Sequence, residues 1–82
     1  MQVSDVGRNQ CTVREGSKKL IVYIEMLIPT PGYPDYVVYG SGYEYWAPPH
    51  ERELITPDMR EKIILAVCEE LIRRGRIPDV EY

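Results

Sequence analysis

The feature that most constrains this chain is one amphipathic segment with a defined start and a defined stop. Thr56 suits a helix N-cap, and Pro57 suits the first helical position, where a missing N–H costs nothing. Gly75 is a typical helix end because glycine adopts positive φ without strain. Between them the pattern predicts a helix of about 19 residues, or ~28 Å at 1.5 Å per residue. The apolar stripe that would pack on a sheet consists of Ile63, Ile64, Val67, Cys68 and Leu71.

The first half of the chain has the two-residue periodicity of β-strands. Even positions from Leu20 to Ile28 are all apolar, whereas the odd positions between them are mixed. This alternation, with its β-branched residues, predicts a central strand that is buried on one face and half covered on the other. Other strands are predicted at 12–14 and 36–39, a short strand or extended segment at 43–46, a loose end or short edge strand at 1–9, and a final edge strand at 77–82.

These elements predict an α+β fold in a single small domain covering residues 1–82. We expect an antiparallel sheet of three to four strands with one long C-terminal helix packed on one face. A chain of this length buries only roughly 60–65% of its unfolded surface, and it contains no second helix to cover the other sheet face. The side chains expected on that open face, a natural place for a partner, are Ile21, Tyr23, Leu27, Val37 or Tyr39.

The charge distribution favours some partners over others. The net charge of −3 argues against nucleic-acid binding, which needs a basic stripe. Between Leu20 and Met59 the one base is Arg52, so this part of the chain is strongly acidic and would steer a basic partner toward it. The alternative is an acidic face that is merely solvated. The acids in this segment are Glu25, Asp35, Glu44, Glu51, Glu53 and Asp58.

Aromatic residues are concentrated in the same region. Residues 33–46 contain most of the seven tyrosines and the single tryptophan, beside acids and no base. Tyr and Trp provide large contact area at low entropic cost, which suits a binding surface, but the same residues could form a strand packed on a small core. The predicted protein-binding residues are Tyr36, Tyr39, Tyr43, Glu44, Tyr45 and Trp46, with Glu51 and Glu53 adding electrostatic steering.

Catalytic and metal-binding patterns are not evident. His50 is the sole histidine, and Cys11 and Cys68 lack the spacing of a zinc site, so we expect two free, mostly buried thiols and no cofactor or metal. The start of the chain does not resemble a signal peptide, and the longest apolar run, 20–28, is too short for a membrane span. These observations predict a cytoplasmic, non-enzymatic protein.

Several segments together resemble the immunity protein 74 family of bacterial polymorphic toxin systems. The resemblance covers roughly residues 20–77. It implies a small cytoplasmic protein that binds a cognate toxin domain and blocks it, with no catalytic residues of its own. The segments that carry it are the aromatic strand Tyr36-Val37-Val38-Tyr39, then Tyr45-Trp46-Ala47-Pro48-Pro49, then Ile55-Thr56-Pro57-Asp58-Met59-Arg60, and the helical spacing of Ile63-Ile64, Val67 and Leu71 before Gly75.

Three functional hypotheses remain at this point. The first is a protein-binding domain, an immunity protein whose acidic aromatic surface covers a basic toxin site. The second is a self-associating structural module that dimerises through the open sheet face or a strand edge. The third is a small enzyme or ligand binder built on His50 with nearby glutamates, which would need a deep pocket lined by that histidine.

Overall fold

The computed structural model describes all 82 residues and confirms an α+β architecture. One helix, α1 (Pro57–Arg73), packs on a five-stranded sheet whose spatial order follows the chain. The prediction of three to four strands was therefore too low. The strands are β1 (Gln2–Ser4), β2 (Gln10–Glu15), β3 (Lys18–Met26), β4 (Tyr36–Tyr39) and β5 (Pro78–Glu81).

The sheet is mixed, which corrects the prediction of a purely antiparallel sheet. The first four strands pair antiparallel, but β5 runs parallel to β4, with Val38 opposite Val80. The reason is that α1 lies between β4 and β5 and carries the chain back to the end of the sheet at which β4 begins. Both of the edge strands that the sequence left open, β1 and β5, do form.

Alternation along β3 separates the two faces of the sheet. Leu20, Val22 and Ile24 are buried on the face covered by α1, as the even-position pattern predicts. The same pattern included Met26 and Ile28, but Met26 is 37% exposed and Ile28, beyond the end of β3, is 87% exposed. Register pairs place Cys11 beside Val22 and Val38 beside Ile24, so the same face continues across the neighbouring strands. The helix contributes its buried stripe to this core, namely Ile63, Ile64, Val67 and Leu71, with Cys68 half-buried. Cys11 and Cys68 are free thiols, as predicted.

Capping residues define both ends of the helix. Thr56 Oγ1 accepts a hydrogen bond from the Met59 N–H at 3.1 Å, which satisfies one of the unpaired donors of the first turn. At the other end, Gly75 has φ +80° and its N–H donates to the Ile72 carbonyl, while the Arg76 N–H donates to the Leu71 carbonyl at 2.9 Å. This pair of bonds is a Schellman motif. The helix has 17 residues rather than about 19 because the last residues of the pattern form this cap.

Asp35 joins the start of β4 to the start of β5. Its Oδ1 accepts the Ile77 N–H at 2.7 Å, and its own N–H donates to the Ile77 carbonyl at 2.9 Å. Arg76 adds an ion pair to Oδ2 at 3.6 Å. The carboxylate therefore fixes the chain as it leaves the helix and enters the parallel strand.

The helix of this structure is neither long enough nor apolar enough to cross a membrane.

Candidate functional site: the open face and the connecting segment

The face of the sheet opposite α1 has no helix over it, as expected. We call it the open face; its centre consists of Ile21, Tyr23, Val37 and Tyr39. Three of these side chains are half-buried, and Tyr23 is 57% exposed. Leu27, also expected there, lies just beyond β3 and is half-buried. The open face therefore presents apolar and aromatic surface that is partly exposed.

One end of the open face is acidic. Glu25 lies opposite Val37 on β4, and the parallel register brings Asp79 beside Val37 and Glu81 beside Tyr39. The Tyr39 hydroxyl donates to Glu25 Oε2 at 2.6 Å, and this bond to the carboxylate raises the pKa of Tyr39 above its usual value. The three carboxylates form no ion pair within the chain, so their charge is available to a partner.

The other end of the open face is basic. Arg14 on β2 lies opposite Lys19 on β3, and both side chains are exposed. Arg14 donates to Ser4 Oγ at 3.0 Å, and neither base is paired with a carboxylate. The open face therefore carries positive charge at one end and negative charge at the other.

Residues 40–56, between β4 and α1, form what we call the connecting segment. It folds back on itself so that Tyr45 lies opposite Leu54 in an isolated antiparallel bridge. The Ile55 N–H donates to the Glu44 carbonyl at 2.8 Å, which closes the bridge. Tyr45 is 49% exposed and Leu54 is 65% exposed, so together they form a small apolar surface. The sequence predicted either a short strand or an extended segment at 43–46. The structure shows an extended segment that is not a strand of the sheet.

Three of the aromatic residues predicted to bind a partner are buried. Tyr36 is in the core and donates from its hydroxyl to the Gly7 carbonyl at 3.2 Å. Trp46 is only 4% exposed and belongs to the core cluster with the helix. Tyr43 is also buried, its hydroxyl accepts the Tyr23 N–H at 2.8 Å, and burial raises the pKa of Tyr43. These rings shape the site from beneath and offer little direct contact area.

The remaining predicted residues lie at the surface but not in one cluster. Tyr39 is half-buried on the open face, whereas Glu44, Tyr45, Glu51 and Glu53 are exposed on the connecting segment. Glu53 is already occupied, because Lys18 Nζ lies 2.8 Å from its Oε2 and holds the pKa of that carboxyl below its usual range. The same ammonium lies 5.8 Å from the centroid of the Trp46 ring. Binding by all of these residues stays a prediction.

Some surface residues were not among those predicted from the sequence. Leu54 stands in a polar loop sequence, and only its bridge to Tyr45 reveals that the two share a surface. Glu25 is far from Asp79 and Glu81 in the chain, and it meets them through the register of β3, β4 and β5. The alternation of β3 did carry a signal for Glu25, since it predicts an odd position on the open face.

A cavity of about 420 Å³ lies between β3 and the connecting segment. Tyr23 and Tyr43 stand nearly parallel there, with an interplanar angle of 13° and ring centroids 6.5 Å apart. The lining residues include Ile21, Tyr23, Gly42, Tyr43, Glu44 and Tyr45. The cavity thus joins the open face to the exposed part of the connecting segment.

His50 does not lie at this site. It is half-buried in the connecting segment, its Nδ1 is buried without a hydrogen-bond partner, and it lines none of the three cavities of the molecule. The pocket that the enzymatic hypothesis required is therefore not observed at His50.

Comparison with protein families finds one match to nearly the whole chain. The family described as immunity protein 74 matches residues 4–81, a longer stretch than the segments that carried the resemblance in the sequence. Neither the curated proteins nor the solved structures contain a match to this chain.

Proposed function

The chain belongs to the immunity protein 74 family, and we propose that it binds and neutralises a cognate toxin domain of a bacterial polymorphic toxin system, in the cytoplasm. The single observation that carries this proposal is the family match over residues 4–81. In this role the protein acts by covering the toxin's functional surface, without chemistry of its own.

The surface that we assign to the toxin combines the acidic end of the open face with the exposed side of the connecting segment. Its apolar contacts come from Tyr23, Tyr45 and Leu54, all exposed. Aromatic side chains of this kind often contribute most of the binding energy of an interface. Tyr39 contributes from the middle of the open face, beside Glu25.

The charge of this surface favours a basic partner. Glu44 and Glu51 on the connecting segment form no ion pair within the chain, and neither do Glu25, Asp79 and Glu81 on the open face. Unpaired surface carboxylates raise the association rate of a positively charged partner more than they raise its equilibrium affinity. A toxin domain with a basic active-site surface, such as one that acts on nucleic acid, fits this arrangement.

The direct test is binding to the toxin domain encoded next to this chain. Coexpression with the chain should protect cells from that domain, and the purified proteins should form a stable complex. Replacing Tyr45 with Ala should weaken the complex by about 1–3 kcal/mol, since the few residues that anchor an interface, among which tyrosine is enriched, cost this much when truncated. Leu65→Ala, on the exposed side of α1, is the matched control and should bind normally. If no toxin domain is bound, the proposal is wrong.

Electrostatic steering of the toxin toward this surface can be tested separately from the affinity of the complex. Reversing the charge of Glu51 with Glu51→Lys should slow association with the toxin several-fold at low salt and flatten its salt dependence. Glu51 is a better choice than Glu53, whose carboxylate is held by Lys18. Glu69→Lys makes the same charge change on the outer side of α1 and should leave the rate unchanged. Equal association rates for wild type and Glu51→Lys, measured by stopped flow, would remove the steering claim.

One observation supports self-association as a second candidate function. The open face has bases at one end, Arg14 and Lys19, and carboxylates at the other, so two copies related by a twofold axis could oppose unlike charges. A dimer of this kind would bury Tyr23 in both copies. Sedimentation at micromolar concentration distinguishes the two candidates, because a tight dimer that Tyr23→Glu dissociates would favour self-association.

A further inference from the structure

The longest strand of the sheet lacks a strand neighbour along two-thirds of one side. β3 has nine residues and pairs with β2 from Lys18 to Tyr23. On its other side β4 pairs only with Ile24 to Met26, because the chain leaves the sheet after Tyr39. The connecting segment passes beside the rest of this edge without forming a strand on it.

Backbone direction shows which groups of β3 face the missing neighbour. The Ile24 N–H donates to the Asn9 carbonyl at 3.0 Å, so even-numbered residues point their backbone groups toward the β2 side. Odd-numbered residues therefore point toward β4, as the bond from the Leu27 N–H to the Asp35 carbonyl confirms. Ile21 is odd-numbered, and its N–H and carbonyl face the side that has no strand.

The connecting segment satisfies the groups on either side of Ile21 but not those of Ile21 itself. The Tyr43 hydroxyl accepts the Tyr23 N–H at 2.8 Å, and the Ala47 N–H donates to the Lys19 carbonyl at 2.7 Å. No hydrogen bond of the protein reaches the N–H or the carbonyl of Ile21. Backbone groups of this kind are nearly always paired in proteins, with water or with another chain.

The cavity beside Ile21 indicates what kind of group would pair with it. The N–H and the carbonyl together require an occupant that both accepts and donates in the plane of the sheet, which an extended peptide unit does and a guanidinium or ammonium group does not. Tyr23 and Tyr45 line the cavity and would pack against the flanking side chains of such a peptide. Glu44, unpaired at the same cavity, favours a basic side chain there.

We propose that this cavity receives an extended segment of the partner protein, one residue of which exchanges two backbone hydrogen bonds with Ile21 while an adjacent lysine or arginine pairs with Glu44. This is strand addition limited to one residue of the sheet edge, because Tyr43 and Ala47 already occupy the positions at Tyr23 and Lys19. It rests on the proposed function, since it names the part of the surface at which a protein partner is held.

A blocked basic peptide, acetyl-Thr-Lys-Val-Lys-Thr-amide, tests the site on the intact chain. Titration followed by amide NMR should shift the signals of Ile21, Gly42 and Tyr45, with binding in the millimolar range. The Ile21 amide, which lacks a protein acceptor, should exchange quickly in the free protein and at least about threefold more slowly at saturation. Val22, whose N–H faces β2, serves as the internal reference.

Methylated peptides provide the matched control. A methyl group on the nitrogen of the central valine removes the donor to Ile21 and should abolish binding. A methyl group on the nitrogen of the following lysine, which points away from β3, should leave binding intact. Glu44→Gln should weaken binding of the unmodified peptide several-fold. Absence of any shift at Ile21, or equal binding of the two methylated peptides, would overturn the proposal.

The same measurement separates this site from the proposed function. If the toxin complex forms while the Ile21 amide still exchanges at its free rate, the strand-addition site is wrong and the proposed function stands. If the peptide binds as described but the neighbouring toxin domain does not, the site stands and the proposed function is wrong.

Discussion

At the scale of single residues, the tyrosines differ in role according to where each hydroxyl finds a partner. The Tyr36 hydroxyl donates to a backbone carbonyl inside the fold, and the Tyr43 hydroxyl accepts from the edge of β3, so both rings are buried. The Tyr39 hydroxyl donates to an exposed carboxylate, so its ring remains at the surface. Sequence spacing does not reveal these partners, which is why the eight predicted binding residues include both buried and exposed side chains.

Burial also determines the chemistry of Cys11. Removal from water raises the pKa of this thiol to about 11, against 9.0 for an unburied thiol, although the positive charge of Arg74 partly opposes the shift. Between these two pH values the unfolded chain loses the thiol proton while the folded chain keeps it. The folded state then binds more protons, so the free energy of unfolding must fall as pH rises.

We predict that replacing Cys11 with Ala removes this part of the pH dependence. Urea unfolding at about pH 8 and about pH 10.5 should show that wild type loses about 1–2 kcal/mol more than the variant between the two pH values. Each protein is compared with itself at the two pH values, so the pH-independent cost of truncating a buried side chain cancels. Equal losses for wild type and variant would show that the buried thiol does not titrate as described.

At the scale of elements, the helix is defined almost entirely by its own sequence. Its N-cap, its apolar stripe and its terminal glycine all lie within the segment, so its limits can be predicted locally, although its stability comes from packing the stripe on the sheet. The strands behave differently, because β1 and β5 are each too short to be stable alone and exist only through pairing.

We predict that Gly75→Ala destabilises the protein by about 1 kcal/mol, because φ +80° is strained for any residue with a Cβ. An added Cβ would meet no atom within 4 Å, so the cost is conformational and does not include a clash. Gly75→Asn should cost less, since asparagine tolerates this region better. Thermal unfolding followed by circular dichroism measures both variants. A larger cost for Asn than for Ala would contradict the conformational explanation.

At the scale of the whole molecule, one helix covers one face of a sheet and leaves the other to the solvent. The core therefore depends on few side chains, drawn from α1, the inner face of the sheet and the connecting segment, which supplies Trp46 and Ile55. A small domain with a single core of this size is only marginally stable, so each buried contact carries a large share of the total.

We predict a sharp contrast between two leucines of the same helix. Leu71→Ala should cost about 2–5 kcal/mol because the side chain is 1% exposed and its removal leaves a cavity. Leu65→Ala should cost within about 0.5 kcal/mol because that side chain is 59% exposed. Chemical denaturation of the two variants provides the comparison. Similar losses would mean that α1 packs through a different face.

The fold class, the helix with its caps, the central strand with its buried and open faces, and the family could all be predicted from the sequence. Each depends on local chemistry or on a short-range period, such as the alternation that buries Leu20, Val22 and Ile24. The parallel pairing of β5 with β4, the burial of Trp46 and the missing backbone partner of Ile21 became known from the three-dimensional fold. These three outcomes depend on which segments, distant in the chain, come together in space, and local sequence patterns do not specify those contacts.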